Sequence, residues 1–137
     1  QVEHRRDQIA GRGEPGAQFG VHRRVPADAT LAHHVLAREQ FGDNVAVYEY
    51  NLGGNGKSQI LGTAGFIKLV RRNNGPVVGV HMIGSRVGEQ IGEGQLIVNW
   101  EAYPEDVATL VHAHPTMNEA IGEAHLALAG KPLHAHA

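Results

Sequence analysis

The stretch VHAHPTMNEAIGEAH, residues 111–125, places imidazoles and carboxylates at spacings that suit three kinds of chemistry. His112 and His114, two positions apart in an extended segment, would project to one side and could chelate a divalent metal, and His134 and His136 repeat that spacing. Neither pair is followed by a third and fourth donor at the spacing of a zinc site. A structural role is also available: Thr116 and Glu119 stand in the T-x-x-E relation of a capping box, in which hydroxyl and carboxylate satisfy the first N–H groups of a helix. The third reading is acid/base. His114 precedes a helix N-terminus, whose dipole disfavours imidazolium, while a carboxylate within reach favours it, and the two effects together would poise the ring near neutrality. On the residues alone the three readings stay open.

A second stretch imitates a site. NLGGNGKS, residues 51–58, ends like the phosphate loop GxxxxGK[ST], with Gly56, Lys57 and Ser58 in place. The first glycine of that motif is Asn51 here, and QILGTAGFIKLV reads as strand and turn rather than as the helix whose N-terminus would hold phosphate. The expectation is a glycine-rich connection between strands.

Composition narrows the classes further. The 137 residues fit one domain with a single core, and 42% hydrophobic residues with a formal charge of −2 describe a globular chain. Cysteine is absent, which removes disulfides, thiolate metal sites and dithiol redox chemistry from this chain. No GxGxxG follows a strand, so no flavin or nicotinamide fingerprint is present. No apolar run is long enough to span a bilayer, and QVEHRRDQIAGRGEPG has no apolar segment of signal-peptide type, so no membrane role is expected. Arg5, Arg6, Arg12, Arg23 and Arg24 are diluted by acids and carry no interleaved aromatics, which argues against a nucleic-acid partner.

The elements that must position these residues begin near residue 36. Residues 1–35, rich in arginine, histidine and glycine and without sustained periodicity, are expected to form an irregular arm. LAREQFGDN reads as helix closed by Gly42, and VAVYEYNL as a strand. GFIKLVRRNNGPVVGVHMIG reads as a hairpin turning at Asn74-Gly75, with Pro76 at the mouth of its second strand. A helix follows over Val87 to Trp100, with Val87, Ile91, Gly94 and Val98 on one stripe and Gly88 and Gly92 leaving room for close packing. Pro104, Glu105 and Asp106 suit a helix start, and a last helix runs from about Met117 to Ala129. Strands first and helices after predict an α+β domain, an antiparallel β-sheet with helices packed on one face.

These same residues carry a family resemblance. NWEAYPEDVATLVHAHPTMNEAIGEAHLALAGKPLHAH resembles the C-terminal end of dihydrolipoamide dehydrogenases, and VAVYEYNLGGNGKSQILGTAGFIKLVRRNNGPVVGVHMIG resembles the sheet that precedes it. The most specific element, His114-Pro115-Thr116 with Glu119, is shared in outline with the wider flavin disulfide reductases. YNLGGNGKSQI and GEAHLALAGKPLHAH narrow the likeness to the lipoamide branch and to its bacterial members.

The resemblance implies that residues 36–137 are a dimerisation domain through which two subunits associate. It implies that His114 enters the partner's active site as general base for the dihydrolipoamide dithiol, oriented by Glu119. FAD and NAD serve the full-length family, and this chain is expected to hold neither. A homodimer, the lipoyl domain of 2-oxo acid dehydrogenase complexes as partner, and a cytoplasmic setting follow from the same resemblance. So does the expectation that this chain holds half of a site and is inactive alone. Upstream of Leu36 no counterpart is expected for the strand with which such domains begin. The alternative from the residues is a free-standing histidine-rich metal-binding protein using His112, His114, His134 and His136.

Overall fold

The computed structural model describes residues 18–22 and 33–134, with side chains from residue 37 onward. Its elements are β1 (Gln18–His22), α1 (His33–Phe41), β2 (Val45–Asn51), a 3-10 turn (Leu52–Gly54), α2 (Gly56–Leu61), β3 (Gly65–Arg72), β4 (Val77–Gly84), α3 (Val87–Asn99), α4 (Pro104–Val107) and α5 (Glu119–Leu128). The four strands form one antiparallel sheet in the order β1-β4-β3-β2. The arginines singled out at the N-terminus lie outside the described residues, as does His136.

Register explains the core. Tyr50, Ile67 and Met82 face one another across three strands, and Tyr48, Leu69 and Val80 form the next row. Alternation along each strand sends these rows to one face, as a half-buried sheet requires. Ile67, Leu69, Val80 and Met82 are fully buried there, against Val87, Ile97 and Val98 of α3, Val107 of α4, and Ala120, Ile121 and Ala124 of α5. Removing each large aliphatic side chain from water contributes roughly 1.5–3 kcal/mol. The α+β architecture is thus as the residue pattern predicts. No helix among the described residues is long and apolar enough to cross a membrane.

Several expectations are corrected. A strand does lie upstream of Leu36: β1 pairs with β4 from Gln18↔Ile83 to His22↔Gly79. Five residues containing a glycine and a histidine give too little alternation to stand out from an arginine-rich context. The boundary drawn between residues 35 and 36 falls inside α1. The β3–β4 hairpin exists, but its connection runs from Asn73 to Pro76, and only Asn74 takes a left-handed conformation, with φ of 53°. The Gly75 N–H donates to the Arg72 carbonyl, and the Arg72 N–H to that of Pro76, so Pro76 supplies an acceptor and no donor where the ladder ends.

In α3 the close approach is made by Gly94, where a Cβ would lie 3.2 Å from Val80 Cγ1. Gly88 and Gly92 are exposed, so the packing role expected of them is not fulfilled within this chain. From Gly56, within NLGGNGKS, a helix, α2, runs to Leu61, where strand and turn are expected after Ser58. The cause is Asn55, whose Oδ1 accepts the Ser58 N–H at 3.0 Å and caps the helix start.

Candidate functional site

The segment between α4 and α5 carries His114, and Glu119 is the first residue of α5. The His114 Nδ1–H donates to Glu119 Oε1 at 2.8 Å, and the Thr116 N–H donates to Glu119 Oε2 at 2.8 Å. Half of the expected capping box therefore forms. The Thr116 hydroxyl does not cap the helix; it donates to the Ala113 carbonyl at 2.6 Å and tightens the turn instead. The His114–Pro115 peptide bond is cis.

The carboxylate is a firm acceptor. Partial burial opposes its ionisation, but the Thr116 N–H and the His114 ring outweigh that and hold the Glu119 carboxyl below its usual range. The His114 side chain is 76% exposed while that of Glu119 is 26% exposed, so the ring reaches outward from an anchored base. Donation from Nδ1 selects the tautomer in which Nε2 carries the lone pair. The arrangement can accept a proton at Nε2 and stabilise the resulting imidazolium through the carboxylate.

Three groups brace this segment, and the residue pattern revealed none of them. Asn55 Nδ2 donates to the Thr116 carbonyl at 3.2 Å, and the Ser58 hydroxyl lies 3.5 Å from Met117 Sδ. The residues that imitate a phosphate loop thus hold the turn after His114. Glu93 on α3 accepts the His112 Nε2–H at Oε1, 2.7 Å away, and lies 3.4 Å from Asn118 Nδ2 at Oε2. Capping by Asn55 has a sequence signal in its position before α2; the contact from Glu93 spans 19 residues and has none.

His112 and His114 therefore do not share a ligand. Each is taken by a different carboxylate, and His134 Nδ1 donates to a third, Glu123, at 2.8 Å. Among the described residues no group of three or more His, Cys, Asp or Glu side chains converges as a metal site. The glycine-rich turn nearest in form to a phosphate loop leads into α2, and the Ser58 N–H at its start is taken by the Asn55 side chain.

On β2, burial followed by the charge of Glu123 pushes the Tyr50 hydroxyl up to about 12, so it stays protonated beneath α5. His125, fully buried on α5, donates Nδ1–H to the Ile121 carbonyl at 2.7 Å, and burial lowers its pKa to about 4. It is a neutral core histidine.

The domain has counterparts among known proteins. Residues 34–125 match the family described as the pyridine nucleotide-disulphide oxidoreductase dimerisation domain. A dihydrolipoyl dehydrogenase of Bacillus subtilis is 41% identical over 95 residues, which are 68% of this chain and 20% of that protein. A mitochondrial dihydrolipoyl dehydrogenase of Arabidopsis thaliana is 39% identical over 92 residues, 62% of this chain and 18% of that one. The chain thus spans about a fifth of the length of these relatives. The fold superposes on LpdA from Mycobacterium tuberculosis with a TM-score of 0.72 at 19% identity, over 93% of this chain and 27% of that one. Sheet, helices and family match converge: the chain belongs to the pyridine nucleotide-disulphide oxidoreductase dimerisation-domain family.

Proposed function

We propose that this domain supplies His114 as acid/base group, with Glu119 as its orienting carboxylate, to an active site completed by a second copy in a cytoplasmic dihydrolipoamide dehydrogenase. The observation that carries the reading is the His114 Nδ1–Glu119 Oε1 contact of 2.8 Å beneath an exposed ring. Nε2 takes the proton of a dihydrolipoamide thiol, leaving a thiolate able to attack a disulfide elsewhere in the enzyme, and Glu119 stabilises the imidazolium. A lipoyl domain would present that dithiol. The flavin, the nicotinamide and the redox disulfide belong to other parts of such an enzyme.

Val111 supports completion by a second copy. It is 97% exposed three residues before His114, an apolar side chain set beside the group that would cross between subunits.

The test is a dimeric enzyme rebuilt by joining this chain to the flavin and disulfide domains of a dihydrolipoamide dehydrogenase. His114→Gln should lower dihydrolipoamide turnover by roughly a hundredfold to ten-thousandfold, the range for losing a positioned base. Transfer from flavin to an artificial acceptor, in which no thiol proton moves, should change much less. Because the Glu93 that holds His112 also faces Asn118 beside Glu119, the control is His134→Gln, whose ring is held by Glu123 instead. Full dihydrolipoamide turnover in His114→Gln would refute the reading.

A further inference from the structure

We propose that Glu93 is a positioning residue for His114, its two carboxylate oxygens clamping the segment that carries the ring on both sides. The functional weight of this clamp rests on the reading of His114 as a base; its geometry does not. Oε1 holds the His112 ring, two residues before His114, and Oε2 faces the Asn118 amide, four residues after it and next to Glu119. One carboxylate on α3 therefore spans the turn from its entry to the start of α5.

The His112 end is built into the packing. Its side chain is 13% exposed and the ring lies on α5 at Gly122, where a Cβ would stand 2.9 Å from Nδ1 and 3.2 Å from Cε1. Glycine weakens a helix interior, and EAIGEAHLAL otherwise contains good helix formers apart from its isoleucine and the buried His125. The seat for the ring is the compensating contact.

Gly122 and Glu119 are one turn apart on α5, so docking His112 on the first and His114 on the second fixes both imidazoles to one rigid element. The charged and titratable groups facing His112 are Glu93 from α3 and Glu119 and His125 from α5. The Glu93 hydrogen bond outweighs burial and raises the His112 pKa, which strengthens the clamp wherever the ring is protonated.

Glu93 is distinct from Glu119 in action. Glu119 touches the His114 ring, whereas Glu93 acts by fixing where His112 and Asn118 place the backbone between them. Without it, the brace from Asn55 to the Thr116 carbonyl would hold the turn from one side only.

The test uses the full chain, with 15N NMR of the imidazole nitrogens to read the tautomer of neutral His114 and amide exchange to read the Thr116 N–H. In the parent chain the Nδ1–H tautomer should dominate and Thr116 should be protected. Glu93→Ala should shift His114 toward the Nε2–H tautomer of free imidazole and speed Thr116 exchange at least tenfold relative to core amides of β3. Gly122→Ala should do the same by displacing the His112 ring. Glu93→Gln should restore the parent tautomer at neutral pH, because its carbonyl accepts from His112 and its amide donates to Asn118 Oδ1 once the Asn118 amide turns over, and it guards against mistaking loss of fold for loss of the clamp. Glu89→Ala, on the exposed side of the same helix, is the control.

An unchanged tautomer in a folded Glu93→Ala chain overturns the proposal, as does failure of Glu93→Gln to restore it. The base reading fails by a different result, full turnover in His114→Gln, which leaves the tautomer measurement to decide the clamp by itself.

Discussion

Glu119 uses both of its oxygens as acceptors, one for the His114 ring and one for the Thr116 N–H, each at 2.8 Å. A glutamine at this position cannot reproduce both. If its carbonyl accepts from His114, its amide points a second donor at the Thr116 N–H. Glu119→Gln in the rebuilt dimer should therefore lower dihydrolipoamide turnover by about tenfold to a hundredfold, a smaller loss than His114→Gln. Steady-state kinetics of both variants, with the flavin-to-acceptor rate as reference, checks the order. A larger loss for Glu119→Gln than for His114→Gln would contradict it.

Asn55 has two separable duties. Its Oδ1 caps α2 through the Ser58 N–H, and its Nδ2 donates to the Thr116 carbonyl. Asn55→Ala removes both and should cost about 1 kcal/mol for the cap alone. Asn55→Asp keeps the cap oxygen and loses the second donor, so it should be destabilised less while still loosening Thr116. Urea unfolding separates the pair, and equal midpoints for the two variants would show that the cap contributes nothing.

The legible parts of the fold are those whose signals are local. Asn74-Gly75 marks the hairpin, the β-branched and aromatic run marks β2, and Gly42, with φ of 63°, closes α1 as a C-terminal glycine should. The His114–Glu119 contact is local too, spanning five positions, though the residues alone left its role open among three readings. What escaped depends on long-range packing. β1 needs β4 beside it to be a strand, and the Glu93–His112 pair joins residues 19 apart that share no periodicity. The described residues give His112 and His114 separate carboxylate partners, because alternation in an extended chain says where side chains point and nothing of which carboxylates receive them. The Gly122 contact is the one long-range feature with a local trace, a glycine inside an otherwise favourable helix.

Val111 gives a test of self-association that does not depend on catalysis. Single exposed apolar residues are ordinary on protein surfaces. This one lies in a dimerisation-domain family member and beside His112, so a second copy is its expected cover. Val111→Asp should shift sedimentation at micromolar concentrations toward the monomer while leaving the far-UV spectrum unchanged, because the side chain makes little contact within its own chain. Identical sedimentation of parent and variant would place the interface elsewhere.

The buried His125 should govern stability in mild acid. In the unfolded chain an imidazole titrates near 6.5, whereas in the fold burial lowers His125 to about 4, against the opposing effect of its bond to the Ile121 carbonyl. Above pH 6.5 the ring is neutral in both states and imposes no penalty. As pH falls below that value, the unfolded chain binds a proton that the folded chain refuses, so stability drops until the folded value is reached. His112 has the opposite sign and a different window: Glu93 raises its pKa, so its contribution is complete below 6.5 and fades as pH rises through the folded value. Glu119, with its depressed carboxyl, loses its contribution only as pH falls through the carboxylate range. Of these three groups only His125 lowers stability as pH falls from 6.5 to 5, and its share of the decline should be on the order of 2 kcal/mol. His125→Gln, whose amide can still donate to the Ile121 carbonyl but does not titrate, should be less stable at pH 7 and nearly flat over the same interval. Urea midpoints measured at half-unit steps give both slopes, and equal slopes in parent and variant would remove His125 as their source.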